Sequence, residues 1–379
     1  MEKKLQAAWE YADAHQDELA ELIEALCAIP APSRHEERRA EFCRTWLEKA
    51  GGKNVVIDAA QNVICPVGVT AGNDLVVFMA HTDTVFPDMT PMPFEKRDGR
   101  MYCPGVGDDT ANVAVLMLCA RYFMTHAPLE DTGVLFVLNA CEEGLGNLDG
   151  GRRLMADYGA RVREVVSFDG YMEMLCVGAV GSTRYKVEVK TEGGHSYGDF
   201  GNRNAIHVLS AMIGTLYTVK VPEDGDSKTT YNVGMISGGT SVNTIAQQAE
   251  MFYEFRSDSK LCLEKMDAAF HAVVEAYRAT GAEVTVTVLG KRPGMGAVDP
   301  EKQKALADRA SAAVEAATGK APARMALSTD CNIPLSMGIP SVCFGTCRGG
   351  GAHTREEYIE TDSLRDGFRA AMAMIAHHF

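Results

Sequence analysis

Asn139-Ala140-Cys141-Glu142-Glu143-Gly144, directly behind the apolar run Val134 to Leu138, is the stretch on which the reading of the fold turns. A buried strand that delivers two adjacent carboxylates is costly unless positive charge meets them, because an unpaired buried charge loses its hydration. A metal ion is the natural counter-charge. Neighbouring residues on a strand point to opposite faces, so the spacing predicts one glutamate on a cation and the other facing a water held by that cation. Taken alone, the pair reads more readily as an ordinary acidic loop behind a strand.

Other runs end the same way. Leu75 to Ala80 is a continuous apolar run of the kind that fills a sheet covered on both faces, and it stops at His81-Thr82-Asp83-Thr84. There an imidazole could take a metal through one nitrogen while the nearby carboxylate fixes the other. Val162 to Phe168 leads to Asp169-Gly170, and Gly105-Val106-Gly107-Asp108-Asp109 opens the apolar helix Ala111 to Phe123. Ser341 to Gly345, followed by Gly349-Gly350-Gly351, brings His353. In open α/β sheets ligands gather beyond the carboxyl ends of the strands, so these groups can converge although they are distant in sequence. The glycines before Asp108 do not make a phosphate loop. Gly105-x-Gly107-x-x-Thr110 lacks a third glycine, no Gly-Lys-Ser/Thr occurs there, and two acids would face the phosphate.

Bulk properties narrow the classes. A chain of 379 residues is long for one core. Its net charge of −14 argues against nucleic acid or an anionic membrane as partner. Met1-Glu2-Lys3-Lys4-Leu5 is not the start of a signal peptide and no apolar run is long enough to span a bilayer, so a cytoplasmic location is expected. Eleven scattered cysteines without a Cys-x-x-Cys pair read as buried thiols, not as a disulfide framework or a thiolate zinc site.

Apolar spacing predicts one helix over residues 5–27, ended by Pro30 and Pro32, and a second helix opened by a capping box, Ser33-Arg34-His35-Glu36. Between Gly181 and Leu289 the order is β-α-β-β-α-β, with strands at 183–190, 229–236, 249–256 and 283–288 and helices at 205–217 and 261–277. This is the ferredoxin-like split arrangement. The expectation is an α/β protein whose catalytic domain, residues 1–180 and 291–379, carries an inserted α+β domain at 181–290.

The ordered set His81-Thr82-Asp83, Gly107-Asp108-Asp109, Glu142-Glu143-Gly144, Ser167-Phe168-Asp169, Gly193-Gly194-His195-Ser196, Gly238-Gly239-Thr240-Ser241-Val242-Asn243 and Gly351-Ala352-His353-Thr354 resembles the M20 family of metallopeptidases over nearly the whole chain. The resemblance implies a dimetal-peptidase catalytic domain with a central mixed sheet flanked by helices, the insert serving as lid or dimerisation domain of a homodimer. It makes His81 and Asp169 ligands of one metal, Glu143 and His353 ligands of the other, and Asp108 the bridge. Two Zn²⁺ per chain, replaceable by Co²⁺ or Mn²⁺, would share an activated hydroxide, with Glu142 as general base and Asp83 orienting His81. His195 would meet the substrate carbonyl, often across the dimer interface, and Asn243 and Arg256 would hold the substrate's polar ends. From the residues alone, Asn243 reads as well as a turn cap, and Arg256 as a surface partner of Asp258 or Glu254. The substrate implied is a small peptide or an N-acyl amino acid. A tripeptide-aminopeptidase-like activity stands beside carboxypeptidase or N-acyl amino acid amidohydrolase activity, and an inactive binding protein is the reading from another class. Two departures stand out: Thr110 where the family commonly has lysine, and Cys141 before the glutamate pair, which raises the prospect of oxidation sensitivity.

Overall fold

Residues 75 to 80 belong to a strand, Asp74–His81, whose side chains alternate between two apolar layers. Val76, Phe78 and Ala80 join the core beneath the helices Ala111–Phe123 and Leu364–Ala376, while Leu75, Val77 and Met79 join Leu154, Met155 and Ile333 on the other side. This two-sided covering explains the uninterrupted apolar run, since each side chain larger than that of Ala80 contributes about 1.5 to 3 kcal/mol on burial. The structure is a computed structural model and describes residues 2–129 and 131–379.

The strand lies inside an eight-stranded mixed sheet in the order 56–57, 63–67, 132–139, 74–81, 162–167, 341–344, 174–179, 323–327. Strands 132–139, 74–81, 162–167 and 341–344 run parallel, with His81 in register with Asn139 and Met79 with Ser167. Their carboxyl ends therefore lie along one edge. Phe78 stacks between Phe136 and Phe168, at centroid distances of 6.0 and 6.3 Å, and fixes the middle of the sheet below that edge. Strands Met174–Ala179 and Ala323–Leu327 extend the sheet beyond the runs anticipated from sequence. A small antiparallel sheet of 349–350, 358–360, 100–102 and 95–97 joins the segment after His353 to the one before Gly105.

Two local expectations fail. The helix over residues 5–27 is two helices, Glu2–Ala14 and Gln16–Cys27, broken at His15 (φ −116°, ψ 25°), whose Nδ1 lies 2.7 Å from the Tyr11 carbonyl oxygen. The capping box is not formed. The helix starts at Glu37 without a side-chain cap, because Ser33 and Glu36 are both engaged by the strand-end turns described below.

The chain divides into two compact units, Met1–Ala179 with Gly296–Phe379, and Val180–Met295. In the second, antiparallel strands 229–238, 248–257, 181–190 and 283–292 lie side by side in that order, with helices Ala205–Leu216 and Lys260–Arg278 on one face. Asn204 and Ser259 cap those helices through their side-chain oxygens. Strand 248–257 alternates between core residues such as Met251, Tyr253 and Phe255 and the polar residues Glu250, Glu254 and Arg256. Among the described residues no helix is long and apolar enough to cross a membrane.

Candidate metal centre

At the strand edge the side chains converge around Asp108. Its Oδ1 lies 3.0 Å from His81 Nε2, and its Oδ2 lies 3.0 Å from His353 Nε2. One carboxylate thus faces two imidazoles from opposite ends of the chain. Asp169 Oδ1 is 3.8 Å from His81 Nε2, and Glu143 Oε1 is 3.2 Å from His353 Nε2. Three overlapping sets result, each with ligand atoms within 4.8 Å of one another: His81, Asp108 and Asp169; Asp108, Glu143 and His353; and His81, Glu142 and Glu143. No cysteine enters any of them among the described residues.

The third set corrects one expectation. Glu142 and Glu143 do not diverge, because strand pairing ends at Asn139 and Cys141 adopts a left-handed backbone (φ 59°), which cancels the alternation of an extended chain. What holds this turn is Asp83. Its Oδ1 accepts the Glu142 amide at 2.9 Å and its Oδ2 the Glu143 amide at 3.0 Å, while Ser33 Oγ donates to Oδ2 at 2.6 Å. Glu36 Oε1 accepts the Cys141 amide at 3.0 Å. Asp83 lies near His81 as well: its carbonyl is 3.1 Å from Nδ1, which turns Nε2 toward Asp108.

Other polar residues complete the support, and the sequence reading assigned them no part. Asp109 Oδ2 accepts the His81 amide at 2.8 Å, and its Oδ1 accepts from Asn112 Nδ2 at 2.6 Å. Asn112 Oδ1 in turn takes the amide and hydroxyl of Thr346, each at 2.6 Å. Asp330 Oδ2 accepts from Asn139 Nδ2 at 2.6 Å. Arg39, buried, donates to the carbonyls of Leu26, Ile29 and Thr82 and lies 3.4 Å from Thr110 Oγ1, so a cation sits beside Thr110. For Asp109 the only advance signal was its place in a second acidic pair. Asn112 gave none, and Glu36 stood out only as a helix-capping residue, since Thr346 and Cys141, which they bond, are distant in sequence.

The electrostatics call for added positive charge. Glu36, Asp83, Asp109, Glu142, Glu143, Asp330 and Glu357 are all buried around Asp108 and Asp169, whereas Arg39 is the buried guanidinium of this unit among the described residues. Burial pushes the Asp330 carboxyl up to about 7, although His81 and Asn139 partly offset it. Burial likewise takes Glu357 up to about 7, with the Asp108 charge adding to the effect. Burial also raises Asp109 and Glu143. His353 is raised to about 10 by its contacts with Asp108 and Glu143. Glu143 Oε1 is buried with no well-aligned hydrogen-bond donor. Imidazole and carboxylate donors crowded beyond what one guanidinium can neutralise fit divalent ions. Burial pushes the Cys141 thiol up to about 12, and its Sγ lies 3.4 Å from Glu36 Oε1, so the thiolate character on which oxidation depends is suppressed.

In the inserted unit, His195 pairs with Thr244, and the Ser196 amide donates to the Asn243 carbonyl at 3.0 Å, which brings these two candidates together. His195 Nδ1 accepts the amides of Tyr197 and Gly198, both at 3.2 Å. The ring proton of the neutral imidazole is then on Nε2. A cleft of about 660 Å³ adjoins the hairpin, lined by Gly194, Gly238, Gly239, Thr240 and Thr244 among others. Arg256 lies apart, in register with Ser182 and Thr230, and its Nε and a terminal nitrogen both meet Glu254 at 3.1 Å.

Residues 77–377 match the sequence pattern of peptidase family M20/M25/M40. The chain belongs to this family. It is therefore a hydrolase. Among curated relatives it is 28% identical over 227 residues to a succinyl-diaminopimelate desuccinylase of Paraburkholderia xenovorans, a match spanning 55% of this chain and 59% of that relative. A second desuccinylase, from Nitrosospira multiformis, is 24% identical over 366 residues, 90% of this chain and 93% of the relative. A tripeptidase structure from Staphylococcus aureus has the same fold, with a TM-score of 0.77 at 21% identity over 96% of this chain and 98% of the other.

Proposed function

We propose that this M20 member is a two-metal hydrolase that cuts an amide bond in a small peptide. The ligands of one ion are His81, Asp169 and Asp108, and those of the other are Asp108, Glu143 and His353. Zinc suits this donor set, with cobalt or manganese able to replace it. The observation that carries the reading is Asp108, with an imidazole nitrogen 3.0 Å from each of its two oxygens. Two divalent ions bound here would polarise the scissile carbonyl and lower the pKa of the attacking water.

The chain's own groups supply the rest. Glu142, fixed through its amide by Asp83, takes a proton from the attacking water and passes it to the departing amine. Asp83 keeps His81 in the orientation that leaves Nε2 free for coordination. His195 offers its Nε2–H to the scissile carbonyl, since Nδ1 is already occupied as an acceptor. Asn243 is held beside it for the substrate's polar end. Arg256 is assigned to a substrate carboxylate, for which it would exchange Glu254.

The preferred substrate is a tripeptide cut from its amino end, because the run Gly238 to Ile245 and His81-Thr82-Asp83-Thr84 resemble the tripeptide-aminopeptidase side of the family. The desuccinylase relatives favour a second reading, hydrolysis of an N-acyl amino acid. A panel of di- and tripeptides blocked at either end, together with N-succinyl and N-acetyl amino acids, decides between them. Turnover of free tripeptides that stops when the amino end is blocked is the expected outcome. Turnover confined to the N-acyl compounds establishes the second reading. Chelation should abolish the activity and zinc, cobalt or manganese restore it, whereas full activity in metal-free protein contradicts the metal assignment.

His195 would act across a homodimer, and the full exposure of Tyr197, Phe200 and Val242 near it leaves an apolar surface for the second copy. Chains carrying His195→Ala and Glu142→Ala, each nearly inactive, should regain activity when mixed, because one hybrid site then has both groups. Mixed dimers that form yet stay inactive rule out the shared site.

A further inference from the structure

The turn that presents Asp108, Val106–Thr110, is a single π-type turn, irregular in its middle, whose ends are tied by the Val106 amide to the Cys103 carbonyl and the Thr110 amide to the Gly105 carbonyl. Gly105 is left-handed (φ 79°), and Asp108 and Asp109 leave helical geometry (φ −117°, ψ 83° and φ −132°, ψ 17°). Three amides from Gly105 to Asp108 share a destination. Glu357 Oε2 accepts the Gly105 amide at 2.6 Å, and Glu357 Oε1 accepts the amides of Gly107 and Asp108, both at 2.8 Å. The Glu357 carbonyl also takes the Cys103 amide at 3.2 Å. The side chain is fully buried. Three amides on one carboxylate are charge-assisted bonds, shorter and stronger than bonds to a neutral oxygen. The approach is also close: a Cβ added at Gly107 would stand 3.2 Å from Glu357 Oε1 and 2.8 Å from Tyr171 Cε1, so the turn is moulded to this side chain.

Glu357 is four residues past His353. Pairing of Tyr358 with Tyr102 continues the link into strand structure, so Glu357 begins the fastening of the segment bearing one imidazole to the turn bearing the central carboxylate. We propose that Glu357 is a positioning residue that sets the orientation of Asp108 and locks it to the His353 segment, so that the carboxylate meets both imidazoles at once. This rests on the reading of Asp108 as the shared metal ligand. A glutamine could not replace it, because the amide nitrogen would turn a donor toward a donor at Gly105 or at Gly107 and Asp108. An aspartate keeps the charge but is one methylene short of the three amides.

The test is cobalt and zinc affinity by chelator competition, with the visible spectrum of the cobalt form, for wild type, Glu357→Gln, Glu357→Asp and the exposed-neighbour control Glu356→Gln. Both position-357 variants should bind at least one ion about 10- to 100-fold more weakly, the range usual for a group that holds a ligand, and should show an altered cobalt spectrum. The control should match wild type. An aspartate variant with wild-type affinity and spectrum beside a weakened glutamine variant would assign the effect to charge and overturn the positioning role. So would unchanged binding in both, an equal loss in the control, or failure of both metal-free variants to fold. Wild-type protein that binds no cobalt would instead overturn the metal reading itself.

Discussion

Glu142→Gln is expected to keep close to two metal ions per chain while turnover falls by about 10²- to 10⁴-fold, the usual worth of a positioned general acid–base. Glu143→Gln is expected to lose metal and turnover together. The two residues are adjacent, both buried, and both within reach of His81, so proximity does not separate them. Their partners do. Glu143 Oε1 stands 3.2 Å from His353 Nε2 and shares a ligand set with it and Asp108, whereas Glu142 belongs only to the set with His81 and Glu143. Glutamine is nearly isosteric and keeps an oxygen, so Asp83 should hold the turn in either variant through the unchanged backbone amides. Elemental analysis alongside the rate reads the outcome. If Glu142→Gln sheds metal while Glu143→Gln keeps both ions, the roles are exchanged.

Asp108→Asn should cost more than either, because one change touches both sides of the centre. An asparagine leaves one oxygen for one imidazole side and turns an NH₂ group toward the other, where the aspartate now presents an oxygen 3.0 Å from a ring nitrogen. Both ions should bind more weakly, by no less than the roughly 10- to 100-fold that loss of a mere supporting group costs, and activity should disappear. Cobalt titration distinguishes a bridge from a ligand of one ion. Retention of one site at wild-type affinity would show that Asp108 serves a single metal.

The parts of this architecture legible in sequence are those set by local pattern. The helix Ala111–Phe123 and the strand Asp74–His81 follow from their apolar runs, and the β-α-β-β-α-β order of the insert from its alternation. The acids and histidines were conspicuous because they stand where apolar runs stop. Less legible were Met174–Ala179 and Ala323–Leu327, short strands in which glycine, alanine and arginine dilute the β signal and whose placement depends on their parallel pairing. The capping box failed for a related reason. Ser33 and Glu36 suit a helix start, but Asp83 and the Cys141 amide are better partners, and these come from other strand ends. Glu357, Asn112 and Asp330 stayed unassigned because each bonds to groups far along the chain.

Gly181 and Gly294, near the two ends of the inserted unit, lie against each other, a Cβ on the first meeting the backbone nitrogen of the second at 2.7 Å. Before folding, joining the outer unit across an excursion of ~100 residues carries a closure entropy of about 4 kcal/mol. Once the insert has its own sheet and core, the same excursion is a tie a few ångströms wide. A formed insert would shorten the search by which His353 and Glu357 reach His81 and the turn beyond strand 132–139, so destabilising the insert is expected to slow completion of a centre to which it contributes no proposed metal ligand.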